Sequence, residues 1–178
     1  VGSSLSDTAV KEADGQFGDV LRWLQETGRT DETDVIVASD HGYSTITGNV
    51  DVEALMRDAG FRPGGEAGGV IVAQNGGAAL LYTPPGDLET ARRLASWLMG
   101  QPWCGTVTAS DAVGGIAGTL PASLVGNQGP RAPELTVSFA WDSAANEAGY
   151  PGTAYATYGE PGMGQHGSMS RHEMNNIL

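Results

Sequence analysis

The sequence predicts an α/β fold, a mostly parallel sheet with helices on both faces, and three observations predict it. Val35-Ile36-Val37-Ala38 is an unbroken apolar run, the pattern of a strand buried on both sides. An amphipathic helical stretch precedes that run, so helix then strand forms half of a βαβ unit whose first strand is missing. The run ends in Asp40-His41-Gly42, at the strand end where open α/β sheets bind their ligands.

The elements follow in order. Residues 6–27 form the first helix: Ser6 is a good N-cap, Val10, Ala13, Phe17, Val20, Leu21 and Leu24 recur at helical spacing, and Gly28 supplies the stop. The buried strand occupies 34–39. Ser44 and Thr45 follow Asp-His-Gly too closely to be more than turn residues. Asp51 caps a short helix ending at Ala59-Gly60. Val70–Ala73 and Ala78–Tyr82 flank Asn75-Gly76, a strong hairpin signal. Pro84-Pro85-Gly86-Asp87 breaks the chain and caps a helix over 88–99, with Ala91, Leu94, Ala95 and Leu98 on one face. Thr106–Ala109 is a strand, 114–133 an ordered loop, Leu135–Phe139 a core strand, and 141–165 loop again. Ser170-Arg171-His172-Glu173 forms a capping box.

The 178 residues amount to one domain, with 1–48 and 134–178 as core elements and 49–133 as a helix–hairpin–helix and loop insert beside them. The chain opens at Val1 inside a loop and stops at Leu178 in or just past a helix, so a piece of something longer is expected, truncated at its N-terminal side. Net charge is −12 and Lys11 is the single lysine. Nucleic-acid duplexes and anionic membranes are therefore poor partners, since both are gripped by clustered Lys and Arg. Arg92-Arg93 is a solvated helix face. Cys104 is alone and forms no internal disulfide. No apolar run spans a bilayer and no signal peptide is visible.

Asp40, His41 and His166 carry the chemistry. Asp-His-Gly alone also suits a turn in which Asp40 caps and His41 is solvated. The second stretch, Gly162-Met163-Gly164-Gln165-His166-Gly167-Ser168, shifts that balance, because it sets another histidine among small residues where a backbone can approach a ligand. Imidazole and carboxylate are common Zn²⁺ ligands, and three protein ligands plus an open position make one catalytic site. A two-metal site would need more donors. His172, in the first turn of a helix, suits a surface or capping role. Ser168, His41 and Asp40 make a poor nucleophile triad, with no Gly-x-Ser-x-Gly elbow and an Asp adjacent to its His. Trp97 and Trp103 pack on the helix and strand beside them. Trp141, Tyr150, Tyr155 and Tyr158 pack the long loops or line a substrate cleft.

Val35 to Tyr43 (VIVASDHGY) together with GQHGSMSRHEMNN over 164–176 resembles the alkaline phosphatase superfamily, in its type I phosphodiesterase and nucleotide pyrophosphatase branch. The helix around Ala9–Leu24, the stretch Asn49–Phe61 and the segment Arg131–Leu135 are similar to it too. The resemblance implies an alkaline-phosphatase-like sandwich with two zinc ions at the sheet's carboxyl end. It implies that Asp40 and His41 hold one zinc and His166 the other. The remaining ligands and a Thr or Ser nucleophile come from earlier in the family's chain, so it also implies that these residues alone are inactive. The implied reaction is hydrolysis of a phosphate ester or diester through a phospho-Thr or phospho-Ser intermediate, on a small phosphorylated substrate such as a nucleotide. The implied location is periplasmic or secreted. Cys104 lies in Trp-Cys-Gly-Thr, outside a sulfatase-like Cys-x-Pro-x-Arg context. Relatives often carry histidine where this chain has Asn175. The alternatives are a non-catalytic binding domain that keeps the fold, a single-zinc protein complete at this length, or another superfamily hydrolase such as a phosphomonoesterase or phosphonate hydrolase.

Overall fold

The computed structural model describes residues 1–64 and 68–175. Helix α1 spans Ser4–Glu26 and starts earlier than expected, because Ser3 rather than Ser6 caps it, its hydroxyl accepting from the Ser6 amide at 3.2 Å. The apolar stripe of α1 is real, but among the described residues little covers it. Leu24 alone is buried, while Val10, Val20 and Trp23 are each half exposed or more.

Residues 33–39 carry no regular secondary structure and join no ladder among the described residues. Val35, Ile36 and Val37 are 45%, 78% and 63% exposed. The doubly buried strand expected over 34–39 is thus corrected: the apolar run is present, but no described neighbour pairs with it. Strand β1 lies instead at Ser44–Asn49, where a turn was expected.

Helix α2 covers Val52–Asp58, with the Asp51 carboxylate accepting from the Ala54 amide at 2.9 Å. Strands β2 (Ile71–Asn75) and β3 (Ala78–Tyr82) form the expected hairpin about Gly76-Gly77. Helix α3 runs over Leu88–Met99 from its Asp87 cap and buries Ala91, Leu94, Ala95 and Leu98. Strands β4 (Cys104–Ala109), β5 (Leu120–Pro121) and β6 (Leu135–Phe139) follow. The loop expected over 141–165 is mostly sheet: β7 (Trp141–Ala145), β8 (Pro151–Ala156) and β9 (Gly164–Gln165). Helix α4, Arg171–Met174, completes the described chain.

The strands form two mixed sheets, ordered β7-β8-β1-β9 and β2-β3-β6-β4-β5. Among the described strands, β1–β8 and β4–β5 pair parallel and the other five pairings are antiparallel. The expectation of a mostly parallel sheet is corrected for the described residues. Of the antiparallel neighbours, β2 and β3 are joined by a two-residue turn, which allows no other pairing.

The core lies on one face of the five-stranded sheet. Alternate residues Ala79 and Leu81, Val107 and Ala109, and Leu135, Val137 and Phe139 pack there against Met56 of α2 and the buried face of α3. Trp103 closes it, meeting Phe139 and Trp97 edge-on at 5.6 and 6.0 Å. From the other face of β6, the Ser138 hydroxyl accepts from the Met169 amide at 2.8 Å. That bond brings the sheet against the loop carrying His166.

Candidate functional site

Strand register explains why residues so distant in sequence meet. Strand β9 pairs antiparallel with β1, with Ser44 opposite Gln165 and Thr45 opposite Gly164. Just beyond the end of that ladder, the rings of Tyr43 and His166 come into contact. The ring of Tyr43 meets His166 edge-on at 5.6 Å and His41 edge-on at 5.3 Å. The imidazoles of His41 and His166 stack, with centroids 4.0 Å apart and planes inclined by 22°.

The Asp40 loop is held locally. The His41 amide donates to Asp40 Oδ1 at 3.0 Å, and His41 Nδ1 lies 2.9 Å from the Gly42 carbonyl. A carbonyl can only accept, so Nδ1 carries a proton and, in the neutral ring, Nε2 keeps its lone pair. Nε2 in turn lies 3.4 Å from Asp40 Oδ2. Two acceptors at that distance repel unless a proton or a cation sits with them. Asp40 is almost fully exposed and His41 is mostly covered.

The same short helix holds both loops. The Gly42 amide donates to the Glu173 carbonyl at 2.7 Å, and a Cβ at position 42 would stand 2.1 Å from the His172 carbonyl oxygen. Only glycine fits that approach. On the other side the Gly77 amide donates to the His166 carbonyl at 2.9 Å. At Gly76, φ is +58° and an added Cβ would lie 2.2 Å from that same carbonyl oxygen.

His41 and His166 are therefore brought together, with Asp40 beside His41. The remaining candidates are not. Ser168 is buried and its hydroxyl donates to Glu173 Oε1 at 2.6 Å, which removes it from any triad with His41. His172 Nε2 lies 3.0 Å from Ser143 Oγ, and its ring meets Trp141 edge-on at 6.0 Å. Trp141 and Tyr155 stand on strands, and the Tyr150 ring lies against Gly2.

Two participants escaped the sequence reading. Tyr43 was visible only as the last letter of the Asp-His-Gly motif. Glu173 was read as half of a capping box, yet its carboxylate does not reach the Ser170 amide, which donates to Ser168 Oγ at 3.1 Å instead. The Ser-x-x-Glu spacing carried no signal that could separate these roles.

Imidazole nitrogen and carboxylate oxygen are the donor types that suit zinc. Among the described residues, however, no three His, Cys, Asp or Glu side chains are gathered into a metal-holding group. A family model described as type I phosphodiesterase / nucleotide pyrophosphatase matches residues 2–164, which includes Asp40 and His41 and stops just short of His166. No curated protein and no solved structure matches the chain. The family match spans nearly all of the sequence, and the chain accordingly belongs to the type I phosphodiesterase / nucleotide pyrophosphatase family of hydrolases.

Proposed function

We propose that the protein is part of a zinc-dependent hydrolase of phosphate esters or diesters, in which Asp40 and His41 serve one zinc and His166 a second. One observation carries the reading: the stacking of the two imidazoles at 4.0 Å. A ring's lone pair lies in its own plane, so nearly parallel stacked rings do not converge on one ion. They address two neighbouring positions, and paired-metal hydrolases hold their ions about 3.5–4 Å apart. In the neutral ring, Nε2 of His41 and Asp40 Oδ2 form an acceptor pair that a cation would share.

Within this reading the Gly42 carbonyl fixes the proton on Nδ1 of His41, as ligating imidazoles require. Tyr43 holds both rings from one edge. When bound, zinc would polarise the phosphoryl group and lower the pKa of an attacking hydroxyl. Three side chains do not close two tetrahedral shells, so further ligands and the Thr or Ser nucleophile come from outside these residues. The substrate is a small phosphorylated molecule, in keeping with a family that acts on phosphodiesters and nucleotides. A periplasmic or secreted location belongs to the same reading.

Elemental analysis of the full-length protein tests it. About two zinc ions per chain are expected, with fewer in His41→Ala and His166→Ala, and hydrolysis of an aryl phosphodiester should cease on chelation. A protein that binds no zinc and turns over no ester would instead be a binding domain that retains the fold.

A further inference from the structure

The carboxylate of Glu173 is the most deeply buried ionisable group near the histidine pair, and nothing above gives it a task. The residue is 2% exposed. Its Oε2 accepts from the Ser168 amide at 2.7 Å, and its Oε1 accepts from the Ser168 hydroxyl at 2.6 Å and from Gln165 Nε2 at 3.0 Å. Those donors sit on either side of His166. The main-chain carbonyl of the same residue accepts from Gly42, the neighbour of His41. One residue thus grips both histidine loops, one through its side chain and the other through its backbone.

This is more than helix capping requires. A capping glutamate needs one bond, to the amide of the N-cap residue, and Glu173 does not make it. It satisfies three donors on the buried Gln165 and Ser168, and the amide of buried Ser170 bonds the same Ser168 hydroxyl. A buried carboxylate costs too much to keep unless its hydrogen bonds fix a geometry that matters or hold the fold. The geometry fixed here is the placement of His166 over His41.

We infer that Glu173 is the positioning residue of the histidine pair: its carboxylate, bonded to Ser168 and Gln165, sets the His166 ring against the His41 ring. The consequence for metal affinity rests on the proposed zinc reading; the placement of the rings does not. The test therefore has a metal-free arm and a metal arm. In the full-length protein stripped of metal, the imidazole proton resonances of His41 and His166, assigned through single alanine substitutions, should show the mutual ring-current shift of stacked rings. Glu173→Met, of similar length but without an acceptor, should abolish that shift. Glu173→Gln should restore it, since its oxygen can still face the Ser168 amide. Zinc affinity, measured against a competing chelator, should fall tenfold or more in Glu173→Met and recover in Glu173→Gln, the range seen when outer-sphere partners of a metal site are removed.

A folded Glu173→Met protein with unchanged imidazole shifts overturns the inference. If that variant does not fold, Ser168→Ala replaces it, and unchanged shifts there overturn it equally. If the shifts depend on Glu173 but the unaltered protein binds no zinc, the positioning role stands and the zinc reading fails.

Discussion

His41 and His166 stack at 4.0 Å because the strands beneath them are in register, Ser44 opposite Gln165. The pair is therefore a property of the β1–β9 ladder as much as of the two loops. Disturbing the backbone beneath it should disturb the rings.

Gly42→Ala is the most direct disturbance. The new Cβ would press on the His172 carbonyl oxygen at 2.1 Å, and a main-chain atom cannot swing aside as a side chain can. Overpacking of this kind costs about 1–3 kcal/mol. The urea midpoint should fall accordingly, and the Gly42–Glu173 hydrogen bond should lose its protection in amide exchange.

Tyr43 touches both imidazoles through its ring and not through its hydroxyl. Tyr43→Phe should be close to neutral. Tyr43→Ala should cost about 1 kcal/mol, in the range of edge-to-face aromatic pairs, since half of the side chain is already in water. Thermal unfolding of the two variants separates these outcomes.

Asp87 caps α3 and gives a pH signature. The Thr90 amide, then the Thr90 hydroxyl, with a smaller contribution from Arg93, hold its carboxyl below the usual carboxylate range. A lowered folded pKa stabilises above the unfolded value, and that stability is lost as pH falls through the folded one. Asp87→Ala should therefore melt below the unaltered protein at pH 7, and the gap should close below about pH 4. Asp87→Asn should keep most of the cap.

Burial pushes the Cys104 thiol up. The neutral thiol is favoured by the fold, a contribution complete below the unfolded pKa and lost as pH climbs through the folded one. Above about pH 8.5, the protein should lose stability relative to Cys104→Ala. A disulfide reagent should also react slowly until denaturant is added.

What was legible in the sequence follows from where burial is apolar. Helix α3 was placed correctly because Ala91, Leu94, Ala95 and Leu98 repeat at helical spacing and pack on one core. The β2–β3 hairpin and β6 were equally clear, from Asn75-Gly76 and from Leu135, Val137 and Phe139. Strand β1 was missed because its buried residues include Ser44 and Thr45, which resemble a turn. Strand β8 buries Gly152, Ala154 and Ala156, too small to stand out from loop. The opposite error fell at 34–39, where an apolar run implies burial that the described residues do not supply. Of the site, the histidines and Asp40 were visible through their glycine-flanked motifs, and the two imidazoles stack with Asp40 beside His41. Tyr43 meets His166, and the Glu173 carbonyl meets Gly42, across long stretches of sequence that local spacing does not encode.

The uncovered Val35-Ile36-Val37 ribbon also bears on how the molecule behaves at concentration. Its aliphatic side chains face water among the described residues, and its main chain joins no ladder there. Any second strand of similar character, including the same ribbon on another copy, meets a ready template. A strand laid along this ribbon would bury those side chains, and Ile36→Lys would oppose such pairing.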